Sequence, residues 1–503
     1  MKKTLLITSL WGVIAQLGLA QTLVVNPGPA GTLNQAIANN PSITTFILKR
    51  DFPYLLSGEL NISSPITIKA EPGPGKRPIL LYAPPSGAPN IDQIIRTSAN
   101  LRLEGLHLTN RDNLAGISQR MIRTTADNLR IETHDCIFDD SGQTAFRLDG
   151  KNNKIYVTSC YASRMGQPNN PDNGRFIDDR GNDVDSVVIE NSAIYNVTSR
   201  IYRNGGSLVN YMRIEGSTFM NSMQRGFEVL KVREFVFLNN ICADLHINGR
   251  DSSLVPDNNE TNINKAWIRI DSTGSGGEKW TIGYSNFFYT PTQIDYYKFP
   301  FVNDNDDTVT VVSFFNPNAL KAIEAGGWGN TIISEPLSFI NPPVFPRSII
   351  DTFNFGANAN AMPWDMSGLT PDPIYSQLPV GTSRYSTLHN FNYTCDAQSN
   401  TAGVNGTRLG AMLWGDCLVS INDLFDQHNV LFYPNPANDM VYITGLTKIT
   451  RVQLFDVRGR LLRSLSPASD WLEMPLQGLA NGIYFINLVD EKGQVSTRQL
   501  VKQ

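Results

Sequence analysis

The chain has 503 residues, of which 41% are hydrophobic and 17% charged. That length excludes a single ordinary domain, and that apolar content excludes wholesale disorder. A formal charge of -4 excludes a general nucleic-acid binder, and five cysteines are too few for a disulfide-built scaffold.

Lys2 and Lys3 precede an apolar run over 5–17 and the small residues Gly18 and Ala20. This is the pattern of a secretory signal peptide over 1–20, too short to cross a bilayer. No later run reaches the roughly 18 apolar residues of a membrane helix, so no transmembrane span is expected. Residues 31–40 read as a short amphipathic helix, suited to cap the open end of a solenoid. Short strands follow at 46–48, 60–62, 66–68 and 79–82, broken by Pro and Gly.

From residue 101 one pattern returns: an alternating apolar strand, a polar pair, then a second apolar pair. Anchored on Leu106, Asp135, Ser159, Ser192, Ser217, Asn240 and Ser285, it recurs at intervals of 29, 24, 33, 25, 23 and 45. The alternation and the β-branched and aromatic content favour strands over helices. A repeat of 23–25 residues with two or three strands per coil predicts a right-handed parallel β-helix over 21–345, with loop insertions in the longer coils. Coils rising by about 4.8 Å place equivalent residues in ladders. One is expected at Asn128, Asn152, Asp185 and Asn210, with a structural role.

The opening strands, above all Pro65-Ile-Thr-Ile-Lys-Ala70 and Arg77-Pro-Ile-Leu-Leu81, resemble those of pectate-lyase-like β-helix proteins, near the chondroitinase B and alginate lyase group. The resemblance covers 22–345. Residues 346–426 are irregular and rich in Pro and Asn, a cap or linker region, and 401–414 resemble the tail segment of those same families. Cys395 and Cys417 flank that segment and either pair or stay free; Cys136, Cys160 and Cys242 fall at apolar strand positions and read as buried thiols.

Residues 427–503 read as a compact β domain, with strands at 440–444, 450–456, 460–465, 483–489 and 495–501 and hairpin turns at 456–459 and 490–493. The fold class is therefore all-β: a right-handed parallel β-helix followed by a small Ig-like β-sandwich. Tyr433-Pro434-Asn435-Pro436, the turn ending at Gly459, the Gly482-Ile-Tyr484 strand start and the basic tail at Lys502 closely resemble the type A C-terminal sorting domain of the type IX secretion system. That resemblance implies the secretion machinery as partner, passage across the outer membrane, and a secreted or outer-surface location.

Chemistry in the solenoid centres on a basic patch. Arg200 and Arg225 stand eight residues after successive anchors, so they should stack on adjacent coils; Arg203, Lys231 and Arg233 lie close in sequence. Stacked guanidiniums repel unless an anion lies between them. Residues 21–426 hold 32 basic and 40 acidic side chains, so this stripe interrupts an acidic body. It suits uronate or sulfate groups of a polysaccharide ligand, or else local neutralisation by Glu228 and the acidic run of Asp178, Asp179, Asp183 and Asp185. The segment 228–233 resembles the one that carries calcium ligands and a lysine base in the chondroitinase B group. That resemblance maps only Glu228, as a calcium ligand, and Lys231, as the base, and a second adjacent carboxylate is missing; a lyase here would use Lys231 or Arg233 as base, with Arg200 and Arg225 neutralising the uronate. The acidic run is the other candidate for calcium; no other cofactor is expected. The leading function is an exported protein that binds or handles polysaccharide; the alternatives are an active lyase on uronate polymers and a non-catalytic adhesive protein. Nothing in the sequence sets the oligomeric state.

Overall fold

The computed structural model describes residues 21–85, 87–112, 116–166, 173–247, 266–297, 313–346, 389–415, 417, 430–491 and 495–503. The signal-peptide reading over 1–20 and most of 346–426 lie outside them. The chain divides into two compact units, one running through Tyr393 with Ala397–Cys417, the other comprising Thr394–Asp396 and Leu418–Gln503.

The first unit is a parallel β-helix. Each coil adds one strand in turn to three parallel sheets, of ten, ten and nine strands. In one coil Arg130–His134 joins the first sheet, Ile137–Ser141 the second and Thr144–Leu148 the third; Asn153–Thr158 then returns alongside Arg130–His134. In the first sheet alternating side chains point inward, and isoleucines stack there as counterparts, Ile131 on Ile155 and Ile189 on Ile214. Phe138, Phe146 and Phe176 meet at ring distances of 5.1 to 6.0 Å, and Phe219, Phe227 and Phe237 repeat the arrangement further on. Edge-on and tilted aromatic contacts of this kind add to the area they bury. Both ends are covered, as an open sheet edge would otherwise invite pairing. The helix Thr32–Asn39 buries Leu33. The helix Pro317–Ala325, which the sequence reading missed, is capped by the Asn316 side chain accepting from the Ala319 N–H, and it buries Ala319 and Ile323.

The corner between the first and second sheets explains the repeat. A residue with φ between 44° and 65° turns the chain at Gly105, Asp135, Ser159, Asn191, Gly216, Asn239 and Tyr284. Left-handed backbone favours Gly and Asn, which accounts for much of the Asn at these corners. The next side chain points inward and accepts the backbone N–H of the coil before it. Cys160 Sγ accepts from Cys136 N–H at 3.4 Å, Ser192 Oγ from Cys160 at 3.1 Å, and Ser217 Oγ from Ser192 at 3.1 Å. Asn240 Oδ1 then accepts from Ser217 at 3.0 Å and Ser285 Oγ from Asn240 at 3.1 Å.

This ladder corrects two intervals of the sequence reading. Ile137 faces His107 and Ala193 faces Tyr161, so the true series is Leu106, Cys136, Cys160, Ser192, with intervals of 30, 24 and 32. The two cysteines occupy positions that serine takes in later coils. The expected Asn ladder is also split. A bulge beside Asn153 shifts the register by one residue, so Asn128 and Asn152 share a rung that continues at Asp183, while Asp185 lies opposite Asn210 on another. A stacked Asn pair does occur in the second sheet, where Asn221 Nδ2 donates to Asn196 Oδ1 at 3.0 Å.

Residues 389–393 and 397–415 run along the outer flank of the second sheet rather than over an end. Phe391, Tyr393 and Leu409 pack on Tyr161, Tyr195, Met220 and Ile241. The backbone N–H groups of Val404, Ala411 and Met412 donate to the side chains of Asn239, Thr218 and Asn191. Cys395 and Cys417 are disulfide-bonded; the other three cysteines are free and buried.

The second unit is a small antiparallel sandwich. A three-stranded sheet (Leu431–Tyr433, Met440–Thr444, Trp471–Pro475) faces a four-stranded one (Leu461–Leu465, Ile449–Asp456, Gly482–Asp490, Val495–Lys502) around Val441, Ile443, Val452, Leu454, Ile486 and Leu500. The sequence reading omitted the strands at 431–433 and 471–475; the second hairpin turn, at 490–493, lies largely outside the described residues.

The corner ladder is testable. Ser217→Ala removes the acceptor of a buried N–H and is expected to destabilise the solenoid by about 1–3 kcal/mol, read as a lower urea midpoint. An unchanged midpoint would show that the ladder does not hold the coils in register.

Candidate functional site: an arginine ladder on the third sheet

The third sheet escaped the search for alternating strands because its segments do not alternate. Six present two adjacent inward positions flanked by polar residues: Gln93-Ile-Ile-Arg96, Arg120-Met-Ile-Arg123, Thr144-Ala-Phe-Arg147, Arg175-Phe-Ile-Asp178, Arg200-Ile-Tyr-Arg203 and Arg225-Gly-Phe-Glu228; Ala266-Trp-Ile-Arg269 keeps the polar residue at its second flank only. Searching for that four-residue pattern would have found the site.

Parallel register turns the pattern into two rows. Arg96, Arg123, Arg147, Asp178, Arg203, Glu228 and Arg269 form one, and Gln93, Arg120, Thr144, Arg175, Arg200 and Arg225 the other. At about 4.8 Å per coil such stacks of cations stand only with carboxylates interposed. Asp149 takes Arg123 at 2.5 Å and Arg147 at 2.9 Å. Asp178 takes Arg175 at 2.7 Å and Arg203 at 3.3 Å. Glu228 Oε2 takes Arg200 at 3.1 Å and also Arg225. Arg96 pairs with Glu59 at 2.8 Å and Arg269 with Asp271 at 3.0 Å.

Asp149 and Glu228 each serve two guanidiniums and Asp178 serves two of the ladder and Arg180 besides, at 3.8 Å, so the face as a whole is richer in cations. Burial alone would raise the Glu228 pKa, but Arg200 and Arg225 hold its carboxyl below the ordinary glutamate range. Burial first, and then neighbouring arginines, lower the pKa of Arg120, Arg175 and Arg225, the mark of guanidiniums crowded by their own kind.

The residues singled out in the sequence fall into three groups. Arg200, Arg203, Arg225, Asp178 and Glu228 come together on this face. Arg200 and Arg225 do stack on adjacent coils, and the carboxylate between them is Glu228. Lys231 is exposed at the next corner and Arg233 is exposed at the start of Val232–Leu238 in the first sheet. The acidic run points in several directions. Asp179 is buried and accepts from Tyr202 Oη at 3.0 Å, Asn204 Nδ2 at 2.6 Å and Gly205 N–H at 2.7 Å. Asp183 accepts from Leu208 N–H at 2.9 Å, and Asp185 pairs with Lys154 at 3.2 Å. Among the described residues no group of three or more His, Cys, Asp or Glu side chains is placed to hold a metal ion, and no helix is long and apolar enough to cross a membrane.

In the second unit the motif residues hold the sandwich together. Asn435 bridges the strand Val495–Lys502, donating to Gln499 O at 3.1 Å and accepting from Val501 N–H at 2.9 Å, and Pro434 and Pro436 flank it after cis peptide bonds. Tyr433 faces Tyr442 across the sheet, with rings 6.0 Å apart. Gly459, at φ 75°, closes the hairpin where its N–H donates to Asp456 O. Gly482 opens the strand opposite Lys502, and Tyr484 is buried with its hydroxyl donating to Ala480 O at 2.6 Å.

Residues 431–503 match the secretion system C-terminal sorting domain family. The protein is thus an exported one delivered by the type IX secretion system, with the secretion machinery as partner and a secreted or cell-surface destination. Among solved structures it is similar to PorZ, described as an essential bacterial surface component of the type-IX secretion system of Porphyromonas gingivalis. The match has 24% identity, covers 16% of this chain and 12% of that one, and has a TM-score of 0.15, too low to carry an argument. No curated protein matches the chain. None of these findings extends the pectate-lyase-like resemblance of 22–345.

Two carboxylates of this region should give opposite pH slopes. Burial pushes the Asp179 pKa up to about 6 against the backbone N–H groups of Gly181 and Gly205 that favour its charge. The folded chain then keeps a proton that the unfolded chain loses, so this contribution to stability falls as pH rises from about 4 to 6, by about 3 kcal/mol. Glu228 is depressed, so its contribution is present above the ordinary glutamate value and is lost as pH falls below it. Glu228→Gln should cost roughly 3–5 kcal/mol at neutral pH by leaving Arg200 and Arg225 uncompensated, with the deficit shrinking in acid. Asp179→Asn should flatten the slope between about pH 4 and 6. Urea midpoints across pH read both.

Proposed function

We propose that the protein is a non-catalytic binder of acidic polysaccharide, delivered by its sorting domain to the cell surface or beyond, and that the third-sheet arginine ladder is its binding face. The observation that carries this reading is the ladder itself. Its cations recur once per coil on an elongated body, at a spacing of the order of one sugar residue in an extended chain, and they outnumber the carboxylates that serve them. A polymer with a regularly placed carboxylate or sulfate is the ligand such a row complements. Arg96, Arg203, Arg123 and Arg147 are the accessible members, while Arg200 and Arg225, clamped on Glu228, support them. A lyase would need Lys231 or Arg233 beside the bound uronate, and neither shares the face with the ladder. This reading needs no metal at the acidic run.

The full chain is expected to bind polygalacturonate or chondroitin sulfate, with affinity falling steeply as salt rises, and to leave neutral dextran unbound. Arg123→Gln with Arg147→Gln should weaken binding by about tenfold or more. Absence of binding to any acidic polymer would refute the reading. New unsaturated uronate absorbance that is lost in Lys231→Ala would replace it with the lyase. Separately, removal of 430–503 should abolish surface and medium fractions of the protein while the solenoid still accumulates inside the cell; export without the domain would contradict the sorting role.

A further inference from the structure

The second row of the ladder contains buried polar atoms that no group among the described residues satisfies. Gln93, Arg120, Thr144 and Arg175 occupy four consecutive rungs. They are only 0%, 9%, 3% and 7% exposed, yet among the described residues Gln93 Oε1, Arg120 Nε, Thr144 Oγ1 and Arg175 Nε have no hydrogen-bond partner. Native proteins rarely leave such atoms unpaired, and here they fall on successive coils of one row. The nearest carboxylate to Arg120 is Asp92, at 3.7 Å and itself largely in solvent. Arg175 reaches Asp178 through Nη1, which leaves its Nε–H unused. Three of the four atoms can donate, and two of the donors carry positive charge.

We infer that Arg120, Thr144 and Arg175 form a seat for one oxyanion, with the two guanidinium Nε–H groups and the threonine hydroxyl between them as donors. The ligand class is a carboxylate or sulfate. Only the source of that group, an acidic glycan, rests on the proposed binding function. Arg123 and Arg147 lie partly exposed on the neighbouring row. Gln93 Oε1, one coil earlier, is an acceptor and suits a hydroxyl adjacent to the acidic group. Crowding by Arg147 and Arg123 adds to the burial that weakens the hold of Arg120 on its own proton, and an anion in the seat relieves that crowding.

Inorganic sulfate separates the seat from the glycan. Added to the full chain at constant ionic strength against chloride, sulfate is expected to raise the unfolding temperature. Thr144→Val, which keeps shape and charge, and Arg120→Lys, which keeps charge but loses the Nε–H, should each remove most of that shift and weaken binding of chondroitin sulfate or polygalacturonate by about tenfold. Lys279→Gln, an exposed lysine on the first sheet, serves as control. No shift with sulfate, or a full shift retained in both variants, would overturn the seat and leave ordered water as the partner of these atoms. A sulfate shift without binding of any glycan would sink the polysaccharide reading and leave the seat standing. Glycan binding of undiminished strength in both variants would do the reverse.

Discussion

Parallel stacking in register is the constraint on which this molecule depends. Every residue of a paired strand lies about 4.8 Å from its counterpart one coil on, so side chains of successive coils meet rung by rung. Stacked isoleucines such as Ile131 and Ile155 gain from that arrangement, whereas stacked arginines do not. The corner side chains set the register by which one or the other arises. Cys160, Ser192, Ser217, Asn240 and Ser285 each accept the N–H of the coil before, and the positive-φ residue ahead of each one aims it inward. A one-residue slip would break every one of these bonds and turn the core outward.

The same constraint shapes the candidate site. On the third sheet it brings arginine against arginine over many coils and makes carboxylates between them a condition of folding. Asp149, Asp178 and Glu228 meet that condition by each holding two guanidiniums. The face that results is ordered and cation-rich, with side chains already fixed. Fixed charges lose little conformational freedom on binding, which favours a repetitive acidic ligand. The cost is carried by individual rungs, where Arg120 and Arg175 keep buried donors that no group among the described residues uses.

How far the sequence could be read depended on the pattern each sheet imposes. First-sheet strands such as Arg130–His134 alternate strictly, and second-sheet strands follow them after a short corner, so both were legible along with the capping helix near 32–39. Third-sheet strands carry two adjacent inward residues and could not be found by a period of two, so most of the arginine ladder went unseen although Arg200 and Arg225 were noticed. The two misplaced intervals, at Asp135 and at Ser159, came from aligning polar residues with one another. The structure instead aligns Cys136 and Cys160 with serines, because inward position and not polarity is what the corner repeats. The omitted strand at 471–475 lies at an edge of its sheet, half exposed, with little apolar contrast to mark it.

Sequence alone determined that this is an all-β chain with a coil-by-coil repeat and a C-terminal sorting domain, because hydrophobic period, turn residues and the 433–436, 456–459 and 482–484 motifs are local signals. It also placed Glu228 near the arginines, since all lie within one coil or its neighbour. Tertiary structure alone decided which charges meet. Asp178 and Asp179 are adjacent in the chain, yet one faces the arginine ladder and the other is buried in a turn, because successive residues of a strand and its corner point to different sides. Lys231 and Arg233 lie just past Glu228, yet a corner carries both away from its face. Distance along the chain says little about charge pairing when each coil turns from one sheet to the next within a few residues and the decisive neighbour is 23 to 32 residues away.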